Sequence, residues 1–582
     1  MNLRIKKINK SKIKSMKTKI NLVLALVTTV VFSSCNDFLT PNPLATVKLS
    51  DYFTNDTAAI AAVNAAYVPL QWQYGSNGLT YGNEWFIGDV VSDDALKGGG
   101  GTVTSDMNTV YLMENFQSGA NNNYLETLYF INYQGIFRTN FALEQINSML
   151  TKNIGNPVLK SRLIGETKFL RAFYHFRLMR LFGGVIKGDH TFTQNDALLA
   201  RSPKEEIDKF IRQDLEDAIK VLPLKSEYAT TELGRITKGA AQAMLMRVIL
   251  FDINETFANK TDDYNHVISL GDSIIKSTQY SLKTKYQDFF KAFYNIPAVV
   301  AKFVEENGPE SVFEIQYIAE STSDWGGSAG GLGMSRGNYD PLVTRSRGGG
   351  LAGVLSASSQ TGYGFNHPTQ DLYDEFESGD IRRDEAILPY DSTDVYGLEA
   401  EHHYNNGYHS RKTTLGFWVA YKGKQIYINP TFYAMRSPNN IFVIRYSDVL
   451  LMYAEAACES GNISEGTAKL NMVRQRAKNS SATPTDLITL MPFPYGSYAN
   501  NQTDLRKAIR HERRVEFAME GQRWWDLVRW RTAEQVMNDY RQKYITKEGK
   551  DMSVFDPSKH YLFPIPETQL NSNPKLEQNP GY

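Results

Sequence analysis

Periodicity along the chain predicts a mostly α-helical protein. The expected architecture is a single domain of tetratricopeptide-like helix pairs, with long irregular loop insertions and short β segments. Three observations carry that expectation. Apolar residues recur at helical spacing in segment after segment, and the segments fall into helix–turn–helix pairs joined by small residues. The helical period then vanishes in two long stretches, about 71–123 and 321–440.

The first 34 residues precede that scaffold and read as an export signal. They hold Arg4, Lys6, Lys7, Lys10, Lys12, Lys14, Lys17 and Lys19 and no acid, and lead into the uncharged run Ile20 to Asn36. That run is shorter than the roughly 20 apolar residues a membrane-spanning helix needs, and no stop-transfer charge cluster follows. Met16 is an alternative start, because MKTKINLVLALV is already a complete signal. The run ends in Phe32-Ser33-Ser34-Cys35, and small residues just before a cysteine resemble the lipobox of bacterial lipoproteins. We therefore expect a signal peptide over 1–34, lipidation of Cys35, and an acylated, proline-punctuated tether over 35–50 ahead of the 51–582 domain.

Losing the signal would remove eight of the 63 basic residues and leave 55 against 63 acidic ones, a balance of −8. A chain with that balance has no general attraction for polyphosphate, so nucleic acid is not an expected partner. Only Cys35 and Cys458 occur, which excludes a disulfide framework. An exported chain of this composition must be held by its core, and its length allows a large one.

The helical segments follow in order. TKFLRAFYHFRLMRLFGG, Thr167 to Gly184, has an apolar stripe and a Gly-Gly stop. SPKEEIDKFIRQDLEDAIKVLP predicts Ser202 as N-cap, Pro203 at the first helical position, Glu205 completing a capping box, and a stop before Pro223. GRITKGAAQAMLMRVILFDI and DYNHVISLGDSIIKS follow, then YSDVLLMYAEAACES and SEGTAKLNMVRQRAKN. Ala240, Ala241, Ala243, Ala454, Ala456 and Ala457 sit where helices of a pair approach closely. Within the second aperiodic stretch, GFWVAYKG and QIYINP read as short strands.

Three of the seven tryptophans crowd into Gln522 to Trp530, QRWWDLVRW. Placed on one helix over 513–530, Phe517, Trp524, Leu527 and Val528 share a face about 100° wide, as a core stripe does. Trp525 and Trp530 flank it, and Arg513, Arg514, Glu516, Arg523, Asp526 and Arg529 are spaced to form ion pairs. The cluster is expected to be scaffold, not a stacking platform.

An ordered series of segments resembles the SusD/RagB family of outer-membrane nutrient-binding lipoproteins. It begins at Ser34-Cys35-Asn36-Asp37-Phe38-Leu39 and continues through Leu170-Arg171-Ala172-Phe173-Tyr174, Arg201-Ser202-Pro203 and Gly234-Arg235-Ile236-Thr237-Lys238. Arg445-Tyr446-Ser447-Asp448, Asn471-Met472-Val473-Arg474 and Glu512-Arg513-Arg514-Val515-Glu516-Phe517 come next, and the chain closes on Pro564-Ile565-Pro566 and Gln578-Asn579-Pro580-Gly581-Tyr582. The resemblance implies four tetratricopeptide-like helix pairs with a variable loop region carrying the ligand site. It also implies anchoring in the outer membrane by the N-terminal lipid, and a SusC-like TonB-dependent transporter as partner. The implied task is capture of oligosaccharides, or in some branches peptides, without chemistry.

A glycan site needs exposed rings to stack on the C–H faces of sugars, with Asp, Asn or Arg beside them for the hydroxyls. Two loop zones supply such sets. The first offers Trp72, Tyr74, Tyr81, Asn83, Trp85, Asp89, Asp93 and Asp94; the second offers Trp325, Arg336, Asn338, Tyr339, Asp340, Arg345, Arg347, Tyr363 and Trp418. Ser92-Asp93-Asp94 offers oxygens to a structural calcium, although without the residue order of a calcium loop, and Glu401, His402, His403 and His409 offer ligands to a metal. GGLGMSRG lacks the strand and helix a dinucleotide loop requires. No G-x-S-x-G, H-E-x-x-H or Cys/His nucleophile pair is present. A surface glycoside hydrolase and a peptide-binding repeat scaffold remain the alternatives to a non-catalytic glycan binder.

Overall fold

The computed structural model describes residues 49–72, 84–100, 106–150, 152–255, 259–288, 292–295, 300–303, 306–318, 338, 340–344, 363–389, 408–412, 417–421, 424–428, 439–480, 501–544 and 552–582. The chain divides into two units, Met1–Thr54 and Asn55–Tyr582. The first contributes helix α1 (Leu49–Tyr52).

The second unit begins with α2 (Asp56–Tyr67), started by Asn55, whose side chain accepts from Ala58 N at 3.0 Å. Three short elements follow: α3 (Glu84–Val90), β1 (Ala95–Gly98) and α4 (Asn108–Glu114). The long helices come next, α5 (Asn123–Ser148), α6 (Pro157–Phe182), α7 (Lys204–Val221), α8 (Lys238–Asp252) and α9 (Lys260–Lys276). Asn122 and Asn156 cap α5 and α6 through their side-chain oxygens, so α6 begins ten residues before the stripe that announced it. At α7 the expected capping box does not form. The helix starts at Lys204 behind Pro203 with no side-chain cap, because Ser202 is drawn into a β-bridge with Val185.

Each long helix packs on the next, α5 on α6, α6 on α7, α7 on α8 and α8 on α9, and α2 covers α5. Small residues set the spacing: Ala240, Ala241, Ala243, Ala454, Ala456 and Ala457 are all buried. Leu170, Phe173, Phe176, Met179 and Leu245 fill the seams, and each fully buried side chain of that size is worth roughly 1.5–3 kcal/mol. The expectation of a mostly α fold of packed helix pairs holds.

After α9 the chain leaves the stack. It forms β2 (Ala292–Asn295), β3 (Val300–Phe303) and β4 (Ser311–Ile315), then α10 (Asp340–Thr344), β5 (Phe365–Pro368), α11 (Gln370–Glu375) and α12 (Ile381–Ala386). β6 (Ile387–Pro389), β7 (Tyr408–Ser410), β8 (Phe417–Tyr421), β9 (Lys424–Ile428) and β10 (Ile441–Arg445) complete the excursion. β8 and β9 are the short strands that GFWVAYKG and QIYINP predicted, and they pair with each other antiparallel. β4 pairs antiparallel with β10, Ile441 opposite Ile315 and Arg445 opposite Ser311, so the excursion leaves and returns through one two-stranded neck. β10 runs straight into α13 (Tyr446–Glu459), which packs on α9 and resumes the stack with α14 (Ile463–Ser480) and α15 (Gln502–Glu516). Short helices α16 (Arg523–Arg529), α17 (Ala533–Tyr544) and α18 (Glu567–Ser572) close the chain.

The stretch expected as one helix over 513–530 is two, α15 and α16. Met519 and Gly521 take positive φ, 61° and 69°, and turn the chain between them. The turn is pressed against α3 so closely that a Cβ on Gly88 would collide with the Gly521 carbonyl. The tryptophans are scaffold nonetheless: Trp524, Trp525 and Trp530 are 1%, 4% and 8% exposed. Trp524 meets Phe116 and Phe555, Trp525 lies under the Arg180 guanidinium at 4.3 Å, and Trp530 Nε1 donates to Glu455 at 2.9 Å.

Charged residues of α15 point into buried ion-pair networks, and Arg382 bridges Glu512 and Glu516. Glu512 accepts from Arg382 and Arg474, Arg513 donates to Asp448 and Asp526, and Glu516 accepts from Arg445 and Arg476. Burial opposes ionisation of Glu516, but Arg476, Arg445 and Arg382 outweigh it and hold its carboxyl far below the usual range. Such networks are costly to break, because removing one partner strands a buried charge. Arg382 belongs to the excursion, so this network also fastens the excursion to the stack.

Candidate functional site

The two loop zones meet at their stems. Gln71, at the end of the α2 region, donates from Nε2 to the Gln316 carbonyl at 2.6 Å. Beyond the first zone's middle, β1 pairs antiparallel with β5, Leu96 opposite His367 and Gly98 opposite Phe365. Gly99 N donates to Gly364 O at 2.6 Å, and Thr369 donates to the carbonyls of Asp93 and Asp94 through Oγ1 and N at 2.6 and 2.9 Å. Residues far apart in sequence are thereby stitched into one loop platform.

A polar seam ties the other edge. Tyr317 N donates to Asn440 Oδ1 at 2.8 Å, and Asn440 Nδ2 donates to Glu314 at 2.8 Å. Asn338 Nδ2 donates to the Asn439 carbonyl at 2.8 Å, and Asn338 Oδ1 accepts from Asp340 N at 2.9 Å. The seam brings the neck strands, Asn338 and the end of the second zone together. Ile318 stands at its rim, 47% exposed.

Beneath the platform lie the acids of the first zone. Asp94 accepts from Arg514 Nε at 2.8 Å, and Asp93 accepts from Arg523 Nε at 2.8 Å and lies 2.9 Å from the Arg514 guanidinium. Arg514 also reaches Asp371 at 2.9 Å and Glu375 at 3.3 Å, so one guanidinium binds carboxylates from both zones. Burial raises Asp93, yet Arg514 and Arg523 outweigh it and hold its carboxyl below the usual range. Burial pushes Asp94 up to about 6 against the pull of Arg514. Asp89 accepts from Gly521 N at 2.8 Å and Asn366 Nδ2 at 3.0 Å, and burial pushes it to about 8.

These contacts sort the candidate residues. Asp89, Asp94 and Asn338 are buried with their polar atoms committed to protein partners, so in this structure they fasten the platform from within. Trp72 is buried too, its ring 4.8 Å below the Arg138 guanidinium. The calcium reading of Ser92-Asp93-Asp94 is corrected: two guanidiniums occupy the ground beside the carboxylates that a cation would need. His409 is buried with its ring 4.7 Å from that of His367, and among the described residues no group of acids, histidines or cysteines could hold a metal ion. Trp85 lies on α3, its side chain outside the description. Cys35, Tyr74, Tyr81, Asn83, Trp325, Tyr339 and Arg347 lie outside the described residues, as do Glu401, His402 and His403. Gln71, Gln316 and Asn440, which join the stems, carried no signal in the sequence, being single amides with no periodic context.

Two family models match the chain. The SusD family model takes in residues 309–582, and a second, described as starch-binding associating with outer membrane, takes in residues 91–250. The chain belongs to the SusD/RagB family. A SusD-like protein of Formosa agariphila is 25% identical over 573 residues, 96% of this chain and 98% of its own length. A SusD-like protein of Bacteroides ovatus is 25% identical over 88% of this chain and 83% of its own. Among solved structures, surface glycan-binding protein A of Bacteroides thetaiotaomicron, in complex with laminarihexaose, superposes with a TM-score of 0.69 at 22% identity, over 90% of this chain and 100% of that one. A laminarin-binding SusD-like protein gives a TM-score of 0.66 at 24% identity, over 91% of this chain and 100% of that one. These likenesses define the fold.

Proposed function

We propose that this chain is a non-catalytic, lipid-anchored cell-surface protein that binds oligosaccharides on its loop platform and delivers them to a SusC-like TonB-dependent transporter in the outer membrane. The observation that carries the reading is the junction of the two ring-bearing zones through β1 and β5. It lets rings from both zones address one ligand. The laminarihexaose complex of a protein with this fold supports an oligosaccharide as that ligand. Trp85, Trp325, Tyr74, Tyr81 and Tyr339 are the rings proposed to stack on sugar faces, with Asn83 and Arg347 for the hydroxyls. The buried acids and Arg514 hold the platform in shape, which limits the ordering entropy that binding must overcome. A protein that passes its cargo on must release it, so micromolar to millimolar affinity, about −8 to −4 kcal/mol, suits the task. Lipidation of Cys35 and the tether over 35–50 place the platform at the outer leaflet in this reading.

Calorimetry and affinity electrophoresis against a panel of polysaccharides, laminarin included and peptides as control, test it. Glycan binding without product release is expected. Release of shorter sugars by the purified protein would refute the non-catalytic reading, and binding of peptides alone would refute the glycan one.

A further inference from the structure

The α5–α6 hairpin ends in a tip that the core leaves bare. Val158 and Leu150 are 71% and 59% exposed, two of the three most exposed large apolar side chains among the described residues. The turn that carries them is nonetheless firmly built. Ile154 is buried beneath it, and Asn153 N and Ile154 N donate to the Leu150 carbonyl at 2.8 and 3.2 Å. Asn156 Oδ1 caps α6 by accepting from Val158 N at 2.9 Å. Both aliphatics are thus held outward, and a fixed apolar pair facing water marks a contact surface.

The charges around the pair indicate what that surface meets. Lys152 and Lys160 flank it, and residues 145–165 contain no acid. Lys160 Nζ donates to the Met149 carbonyl at 3.1 Å, which sets its ammonium beside Leu150. Neither lysine has a carboxylate within ion-pair distance among the described residues. On α5 the nearest acid in sequence, Glu144, stands roughly 9 Å along the helix from Leu150 and accepts from Thr191 N at 2.6 Å. On α6 Glu166 is buried between Arg162 and Arg235. Glu232 takes Arg162 through both oxygens, Glu227 accepts from Leu224 N at 2.6 Å, and Asp217 of α7 pairs with Lys168 and Lys220. Aliphatic side chains beside unpaired ammonium groups suit a lipid headgroup layer, which offers acyl carbon to the first and phosphate to the second. We propose that the α5–α6 tip dips into the anionic headgroup layer of the membrane, Leu150 and Val158 entering the acyl boundary while Lys152 and Lys160 meet lipid phosphates. The proposal rests on the lipid-anchored reading only for the nearness of a bilayer. A domain that carries −8 beyond residue 34 is otherwise repelled by such a surface, so the tip sets which way it faces while the N-terminal lipid supplies most of the hold.

The test puts an environment-sensitive fluorophore on Val158→Cys in the full acylated chain, with the unsubstituted chain treated alike as the blank. The vesicles are phosphatidylcholine alone, or phosphatidylcholine and phosphatidylglycerol at three to one. The label is expected to enter lipid on the mixed vesicles, less so as salt rises, while a label on Leu198→Cys in the α6–α7 connection stays in water. The ratio of inserted to water-facing label is expected to fall about fivefold for each of Lys152→Gln and Lys160→Gln, and at least about tenfold for Leu150→Asp. Chain held on the vesicles with the Val158 label in water would overturn the tip and leave the anchor standing. Chain absent from the vesicles would overturn both. Insertion that is equal on phosphatidylcholine alone, that ignores both lysine substitutions, or that gives way to shielding by a second protein would overturn the lipid assignment.

Discussion

Replacing Arg514 with Met should loosen the loop platform at its root. The guanidinium lies 2.9, 2.8, 2.9 and 3.3 Å from carboxylate oxygens of Asp93, Asp94, Asp371 and Glu375, at a position 5% exposed. Methionine keeps much of the side chain's bulk, so the loss is electrostatic. Stranding buried carboxylates in this way costs about 3–5 kcal/mol. A folded unit of some 530 residues has an unfolding entropy near 1.1 kcal/mol/K, at about 2.1 cal/mol/K per residue, so Tm should fall by about 3–5 °C at neutral pH. The pH dependence supplies the discriminating result. In the native protein Asp93 is held low, so its stabilisation is present above the unfolded value near 3.9 and is lost as pH falls. Without Arg514, Asp94, already raised to about 6 by burial, loses the largest influence that offsets it and rises further, so its ionisation becomes a greater cost at pH 7 that disappears on acidification. The gap in Tm between the two proteins should therefore narrow between about pH 7 and about pH 4 in differential scanning calorimetry. A gap that stays constant or widens, or a Tm unchanged at pH 7, would refute the clamp.

Other outcomes follow from the same contacts. Asp89, raised to about 8 by burial, keeps a proton that the unfolded chain releases above about pH 4, so stability should decline as pH rises between those values. Asp89→Asn should flatten that decline in a Tm-against-pH series, because the amide keeps an acceptor for Gly521 N–H and carries no charge to bury. Gly88→Ala should destabilise by about 1–3 kcal/mol in guanidinium titration, since its methyl meets the Gly521 carbonyl in a turn that cannot yield freely. Trp325→Ala, at one of the rings proposed to stack on sugar, should weaken glycan binding by about 2 kcal/mol in calorimetry, as loss of an aromatic binding anchor does.

Helices, their pairing and the burial of QRWWDLVRW were legible in the chain because each rests on spacing within a single turn or two. The break at Met519 to Gly521 was not, since only packing against Gly88 demands it, and Ser202 gave up its cap to Val185 for a reason equally remote. The candidate site divides along the same line. Composition marked the two zones as ring-rich and aperiodic, but Asp89, Asp94 and Asn338 looked like ligand contacts only while their partners were out of sight. Asp94 meets Arg514 across 420 residues of chain, and β1 meets β5 across roughly 270. Which segments coil and which do not is written locally in the chain, because backbone hydrogen bonding and apolar periodicity act over a few residues. Which acids serve as internal fastenings, and that the stems of both zones join, emerges only from the folded chain, because burial and charge pairing are set by neighbours that local spacing cannot name.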